Sequence, residues 1–296
     1  MKTRKLLLLL AAVPLYPQAQ ESAREWAALI GNRYTLRRDI VYKNVDGFEA
    51  KLDVYMPLRD PRPRTTMLYI HGGGWSTGSK EQYLLFFLPY IQMGMKVVSV
   101  GYRLAPVAPA PAAVEDTRCA FRWLYENAEK FGFDKNRIVV SGGSAGGHLA
   151  LLTAMVDASA GFDSSCPKGE PMKAAAIINY YGPVDLVELY RKGEGAAFKW
   201  LGGEGKLELA RRLSPMSYIR PGLPPVLTIH GDADETVPYA AAVRFHEALS
   251  RAKVPNRLVT IPGGRHGRHN WPEAEMLKAH RAIEEFLREH KLLPAN

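Results

Sequence analysis

A serine in Gly142-x-Ser144-x-Gly146 follows the apolar run Ile138–Val140 and precedes the helix-forming run Leu149–Val156. A serine on a sharp strand-to-helix turn presents its hydroxyl above a sheet and at a helix N-terminus, as a nucleophile requires. A glycine-rich phosphate loop or a plain turn would also use small residues, but the spacing fits neither a dinucleotide fingerprint nor a P-loop. After Met67–Ile70 comes His71-Gly72-Gly73-Gly74-Trp75. The amides of Gly73 and Gly74, with that of Ala145 behind the serine, are candidate donors to a developing oxyanion. His71 suits a loop-bracing hydrogen bond better than catalysis, and Trp75 suits either a substrate pocket or the core. After Val226–Ile229 lie Asp232 and Asp234, both placed to orient a histidine; either alone could cap a turn. After Leu258–Ile261 lie His266 and His269 in a glycine-rich loop. Two histidines three apart could suggest a metal, but no acidic or cysteine partner lies near them in sequence. The order is oxyanion loop, serine, acid, histidine. A serine is a weak nucleophile until a histidine takes its proton and an acid fixes the histidine's tautomer.

These residues all follow short apolar strands. The predicted strands are Met67–Ile70, Val97–Val100, Ile138–Val140, Ala175–Ile178, Val226–Ile229 and Leu258–Ile261. Helical stretches over 80–92, 112–130, 146–157, 238–252 and 271–290 separate them. Continuous apolar strands alternating with helices predict a mostly parallel, doubly wound α/β sheet with ligands at its carboxyl edge. Before it, 36–43 and 49–56 alternate around Asp46-Gly47 and predict an antiparallel hairpin. Ser22–Ile30 reads as a short helix, and Asn270 as the start signal of the last one. Residues 182–224 read as a helix-poor insertion over the sheet edge, where Phe198, Trp200 and Leu201 could join Trp75 in an apolar wall.

The 296 residues suit one catalytic domain over 20–296, and 47% hydrophobic with 23% charged residues excludes a disordered or fibrous chain. The net charge of +9 is spread along the chain without an aromatic-interleaved basic stripe, which argues against nucleic acid. Lys2, Arg4 and Lys5, the apolar run Leu6–Val13 and Ala19 read as a signal peptide over 1–19, hence secretion or a periplasmic location. That run is too short to span a bilayer. Two cysteines exclude a four-cysteine metal site. Export would let Cys119 and Cys166 pair, but Cys119 beside Ala120, Phe121 and Trp123 reads better as a buried free thiol.

The chain resembles the α/β-hydrolase superfamily, in its esterase/lipase branch with a His-Gly-Gly-Gly oxyanion motif. Gly101-Tyr102-Arg103-Leu104-Ala105-Pro106, Ala113-Val114-Glu115-Asp116 and Gly143–Ala150 carry the likeness, which covers most of 36–290. Hormone-sensitive-lipase-like members usually have Asp before the serine; Gly143 stands here. His230-Gly231-x-x-Asp234-x-x-Val237-Pro238 looks more like secreted bacterial carboxylesterases related to feruloyl and acetylxylan esterases. By that resemblance Asp234 is the acid, His266 the base, and Tyr102, Arg103 and Asp116 are structural supports. It implies a cofactor-free, metal-free serine esterase for short-chain or aryl esters, with small-molecule or polysaccharide-linked substrates. The His-Gly-Gly-x-Trp pattern is shared with arylformamidases, which leaves an arylformamidase, amidase or small peptidase as the alternative. A non-catalytic hydrolase-like binding protein would have no physical need for Ser144, Asp234 and His266 together.

Overall fold

A computed structural model describes residues 32–58 and 64–293. The expected signal peptide and the Ser22–Ile30 helix lie outside them. Eight strands form one sheet: β1 (Tyr34–Val45), β2 (Phe48–Pro57), β3 (Arg64–Ile70), β4 (Lys96–Val100), β5 (Phe133–Gly143), β6 (Ala176–Tyr180), β7 (Val226–Gly231) and β8 (Asn256–Ile261). Their order is β1-β2-β4-β3-β5-β6-β7-β8. β1 pairs antiparallel with β2 and β2 with β4; all later pairs are parallel. This is the α/β-hydrolase fold. The hairpin turns on Asp46 (φ 49°) and Gly47 (φ 80°), the two positive φ values that a tight two-residue loop needs.

Side chains alternate across the central strands. Leu68 and Ile70 of β3 enter one apolar cluster and Met67 and Tyr69 the other. The first face is covered by α2 (Ala112–Glu126) and α4 (Ala145–Met155), the second by α1 (Leu84–Gln92) and α9 (Glu273–Glu289). α8 (Tyr239–Arg251) buries Phe245 and Leu249 against Ile177 and Val226. Covering both faces explains why the strand sequences are continuously apolar.

Four expectations need correction. The 112–130 helix breaks at Asn127, and α3 (Ala128–Phe131) ends on left-handed Gly132. Residues 182–224 hold α5 (Leu186–Tyr190), α6 (Gly195–Leu201) and α7 (Leu207–Arg212), each too short to show a helical period. Asn270 does not cap α9, which starts after Pro272; its Nδ2 instead donates to the His266 carbonyl at 2.6 Å. Cys119 is no free thiol: it forms a disulfide with Cys166. The Arg118–Asp163 ion pair holds the same segment against α2.

Candidate active site

The turn around Ser144 is set by close packing. Ser144 adopts φ 55° and ψ −126°, at the start of α4, a conformation costing about 1–3 kcal/mol that neighbours must impose. They do so through glycines. A Cβ on Gly146 would lie 2.1 Å from the Ile70 carbonyl oxygen, and one on Gly142 2.3 Å from the Gly146 carbonyl oxygen. The Ser144 amide is held by the Tyr180 carbonyl at 2.9 Å. The same packing seats the end of β3, and the Gly72–Gly74 loop beyond it, beside Ser144.

A histidine and an acid complete the line. Ser144 Oγ lies 2.9 Å from His266 Nε2, and His266 Nδ1 donates to Asp234 Oδ2 at 2.7 Å. Their loops are stitched together. The Gly263 amide donates to Asp232 Oδ1 at 2.7 Å, and the Ala233 amide to the Gly264 carbonyl at 3.1 Å. Asp232 is therefore a brace, as its place in a turn allowed. Trp271 Nε1 donates to the Arg265 carbonyl at 2.9 Å, and the Tyr181 ring meets the His266 ring edge-on at 5.0 Å. His269 is exposed at the cavity rim.

Asp234 is buried, which by itself would raise its pKa. Hydrogen bonds from His230, His266 and the Val237 amide outweigh burial and hold the carboxyl well below the usual range. It therefore stays an anion facing His266. Sequence reasoning placed His230 in the pattern around Asp234 but gave it no role. Its Nε2 donates to the Val237 carbonyl at 3.0 Å and lies 3.3 Å from Asp234 Oδ2, so it fixes the acid's orientation. The i, i+4 spacing of His230 and Asp234 was the available signal.

The Gly72–Gly74 loop is braced from below. Gly73 (φ 115°) and Gly74 (φ 58°) turn the chain where it borders the cavity containing Ser144. His71 donates from Nδ1 to the Gly72 carbonyl at 2.8 Å and stacks on Tyr102 at 4.3 Å. Burial lowers its pKa to about 4, so it is neutral and has no catalytic contact. The Tyr102 hydroxyl donates to the His71 carbonyl at 3.1 Å. Arg103 is fixed by Asp116 at 2.8 Å, and Lys43 reaches the same carboxylate at 2.9 Å. These contacts give Tyr102, Arg103 and Asp116 the supporting role the resemblance implied.

Trp75 lines the cavity and is also core. It stacks on Trp200 at 4.7 Å and donates from Nε1 to His148 Nδ1 at 3.2 Å. Trp200 and Leu201 are fully enclosed, and Phe198 packs on Tyr190, so the expected apolar wall is not theirs. Leu189, Ala196 and Ala197 provide it on the insertion side. The cavity, about 900 Å³, is bordered elsewhere by Tyr83, Tyr181 and Arg268, none of which sequence reasoning selected.

A family model described as BD-FAE matches residues 52–249. The chain belongs to the BD-FAE family. It is 29% identical over 264 residues to Esterase LipC of Mycobacterium tuberculosis, covering 85% of this chain and 64% of that protein. It is 29% identical over 239 residues to the ethyl acetate hydrolase of Pseudomonas putida, covering 77% and 74%. The chain thus spans less than two thirds of LipC. Among solved structures, esterase 2 of Thermogutta terrifontis phosphoramylated by tabun is 32% identical, with TM-score 0.75, covering 88% of this chain and 97% of that one. Its propionate-bound form matches at 32% identity and TM-score 0.75, covering 87% and 96%.

Proposed function

We propose that this protein is a serine carboxylic-ester hydrolase for short-chain or aryl esters, working through an acyl-enzyme. The hydrogen-bonded line Ser144–His266–Asp234 on the wall of a cavity bordered by Gly73 and Gly74 carries this reading. Ser144 Oγ attacks the ester carbonyl carbon as its proton passes to His266 Nε2. The amides of Gly73, Gly74 and Ala145 receive the negative oxygen. Collapse breaks the bond to the alcohol, which leaves with the proton from His266. Water then enters, gives a proton to His266, and attacks the acyl carbon; the acid departs and Ser144 is restored. Asp234 balances the imidazolium charge at each stage.

The cavity is roomy and bordered largely by small, aliphatic and aromatic residues, with exposed Lys192 and Glu194 beside them, which suits acetyl to butyryl or aryl acyl groups, free or attached to polysaccharide. The P. putida relative's name and the propionate in the Thermogutta esterase accord with small acyl groups. We place the protein outside the cytoplasm: the Cys119–Cys166 disulfide needs an oxidising compartment, in keeping with the leader-like residues 1–19. Among the described residues no helix is long and apolar enough to cross a membrane.

The test is nitrophenyl acetate hydrolysis with an organophosphate label. The parent should turn over and acquire one adduct on Ser144. Folded Ser144→Ala should lose roughly 10⁴-fold or more in kcat, as nucleophile knockouts do elsewhere. Near-parental turnover by that variant overturns the assignment. Cleavage of formylkynurenine but no ester would move the reading to an arylformamidase.

A further inference from the structure

Arg268 is a cation that the proposed ester chemistry leaves without a task. It lies two residues beyond His266 and borders the same cavity. Its guanidinium carbon sits 3.4 Å from the centre of the Phe86 ring, 5.1 Å from Tyr180 and 5.6 Å from Tyr83. The neighbouring Arg265 pairs with Glu235 at the surface, but no carboxylate pairs with Arg268 among the described residues. Its Nη1 is shielded from solvent and has no hydrogen-bond partner; the Tyr69 hydroxyl is in the same condition. The tyrosine hydroxyls around Arg268 are close to Ser144. A Cβ on Gly143, the residue before Ser144, would be 3.3 Å from the Tyr181 hydroxyl and 3.7 Å from that of Tyr69. One on Gly72 would be 3.4 Å from both the Tyr83 hydroxyl and Ser144 Cβ. The Tyr181 hydroxyl in turn is hydrogen-bonded by both the main chain and the side chain of Arg268.

A charge in an apolar, partly closed pocket is costly unless it is paired. Stacking on aromatic faces offsets part of that cost by cation–π attraction. Aromatic faces, however, leave in-plane N–H groups such as those of Nη1 unused, and a planar guanidinium is best satisfied by a carboxylate. We propose that Arg268, with the surrounding tyrosine hydroxyls, forms an anion subsite in the ester cavity, and that the favoured substrates carry a carboxylate besides the ester. This inference rests on the ester-hydrolase reading and deepens it. Without the leader-like residues 1–19, which carry Lys2, Arg4 and Lys5, the net charge is still positive and would draw such substrates in.

Two matched pairs test it, each setting a carboxylate against an isopropyl group of similar shape. Monoethyl succinate against ethyl 4-methylpentanoate places the group on the acyl half. 3-Acetoxypropanoate against isoamyl acetate places it on the alcohol half. Rates are followed by pH-stat at pH 8. In at least one pair kcat/KM should be about tenfold or more higher for the anion, although Glu194 as well as Lys192 borders the cavity. Arg268→Met should lower that ratio at least tenfold, and Arg268→Lys should retain part of it. Preference for the neutral ester in both pairs overturns the subsite on the unmodified protein alone. So does an anion preference that survives in Arg268→Met. If nitrophenyl acetate is cleaved without any anion preference, only this inference falls. If no ester is cleaved at all, the ester reading falls and takes the subsite with it.

Discussion

Two buried histidines should make the fold sensitive to mild acid. His71 and His148 are fully enclosed, and burial lowers each from about 6.5 to about 4. His148 is held neutral by its contacts as well. Nδ1 accepts from Trp75, and Nε2 donates to the Leu213 carbonyl at 2.7 Å. Between pH 6.5 and 4 the unfolded chain therefore binds two more protons than the native one at these sites. Stability rises with pH across that window and falls as pH drops through it. At pH 5 each such group contributes about 2 kcal/mol less than at pH 8, about 4 kcal/mol together. That is a large share of a typical 5–15 kcal/mol. His246 and His280, lowered by burial, act with the same sign. Asp234, a depressed carboxyl, confers stability above its ordinary value near 3.8 and loses it only below, so it does not mask the effect. Urea unfolding at pH 8 and pH 5 measures the difference. His148→Gln keeps one acceptor and one donor but does not titrate, so it should reduce that difference by about 2 kcal/mol. Equal stability at the two pH values would refute the argument.

Asp234→Asn should lower kcat by up to about 10⁴-fold, because asparagine can hold the wrong tautomer of His266, while Asp232→Asn should act mainly on stability; equal kcat losses would reverse their roles. Reducing the Cys119–Cys166 bond, or replacing both cysteines with serine, frees a 47-residue separation and should cost about 4 kcal/mol in the chain-entropy account, read from the denaturation midpoint. In a nitrophenyl ester series from two to sixteen carbons, kcat/KM should peak at two to four carbons and fall steeply by about eight. Each further methylene gains about 0.8 kcal/mol only where apolar surface remains to bury it; a rate that keeps rising with chain length would refute the small-acyl reading.

The sheet was legible because six of its strands are continuous apolar runs, and the hairpin because Asp46-Gly47 is a turn signal with a backbone reason. The short helices of 182–224 were not, since five to seven residues hold less than two turns of periodicity. The disulfide was missed for a related reason: the buried setting of Cys119 is visible locally, but the fold of the segment that brings Cys166 to it is not. Ser144, Asp234 and His266 stood out because nucleophilic catalysis places special demands on backbone and spacing. Tyr83, Tyr181 and Arg268 stand far apart in the chain, carry no motif, and share a cavity only once α1 and the loops after β6 and β8 are placed.

The insertion is also part of the catalytic frame. His148 lies one turn beyond Ser144 on α4, and its two ring nitrogens join Trp75 on the oxyanion loop to Leu213 at the end of α7. Trp200 on α6 stacks on the same indole, and the Ala110 amide donates to the Trp200 carbonyl at 3.1 Å. One hydrogen-bonded and stacked column therefore connects the nucleophile's helix, the oxyanion loop and the cap whose residues Ala196 and Ala197 wall the cavity. A Cβ on Gly74 would lie 3.1 Å from the Ala196 side chain, so cap and oxyanion loop are already in contact. Because densely packed interiors transmit small displacements, in the proposed ester reaction an insertion that shifts to admit a longer acyl chain would also move Gly73 and Gly74. On the proposed reading that column would couple substrate size to catalytic geometry, and the cavity would discriminate on kcat as well as on KM.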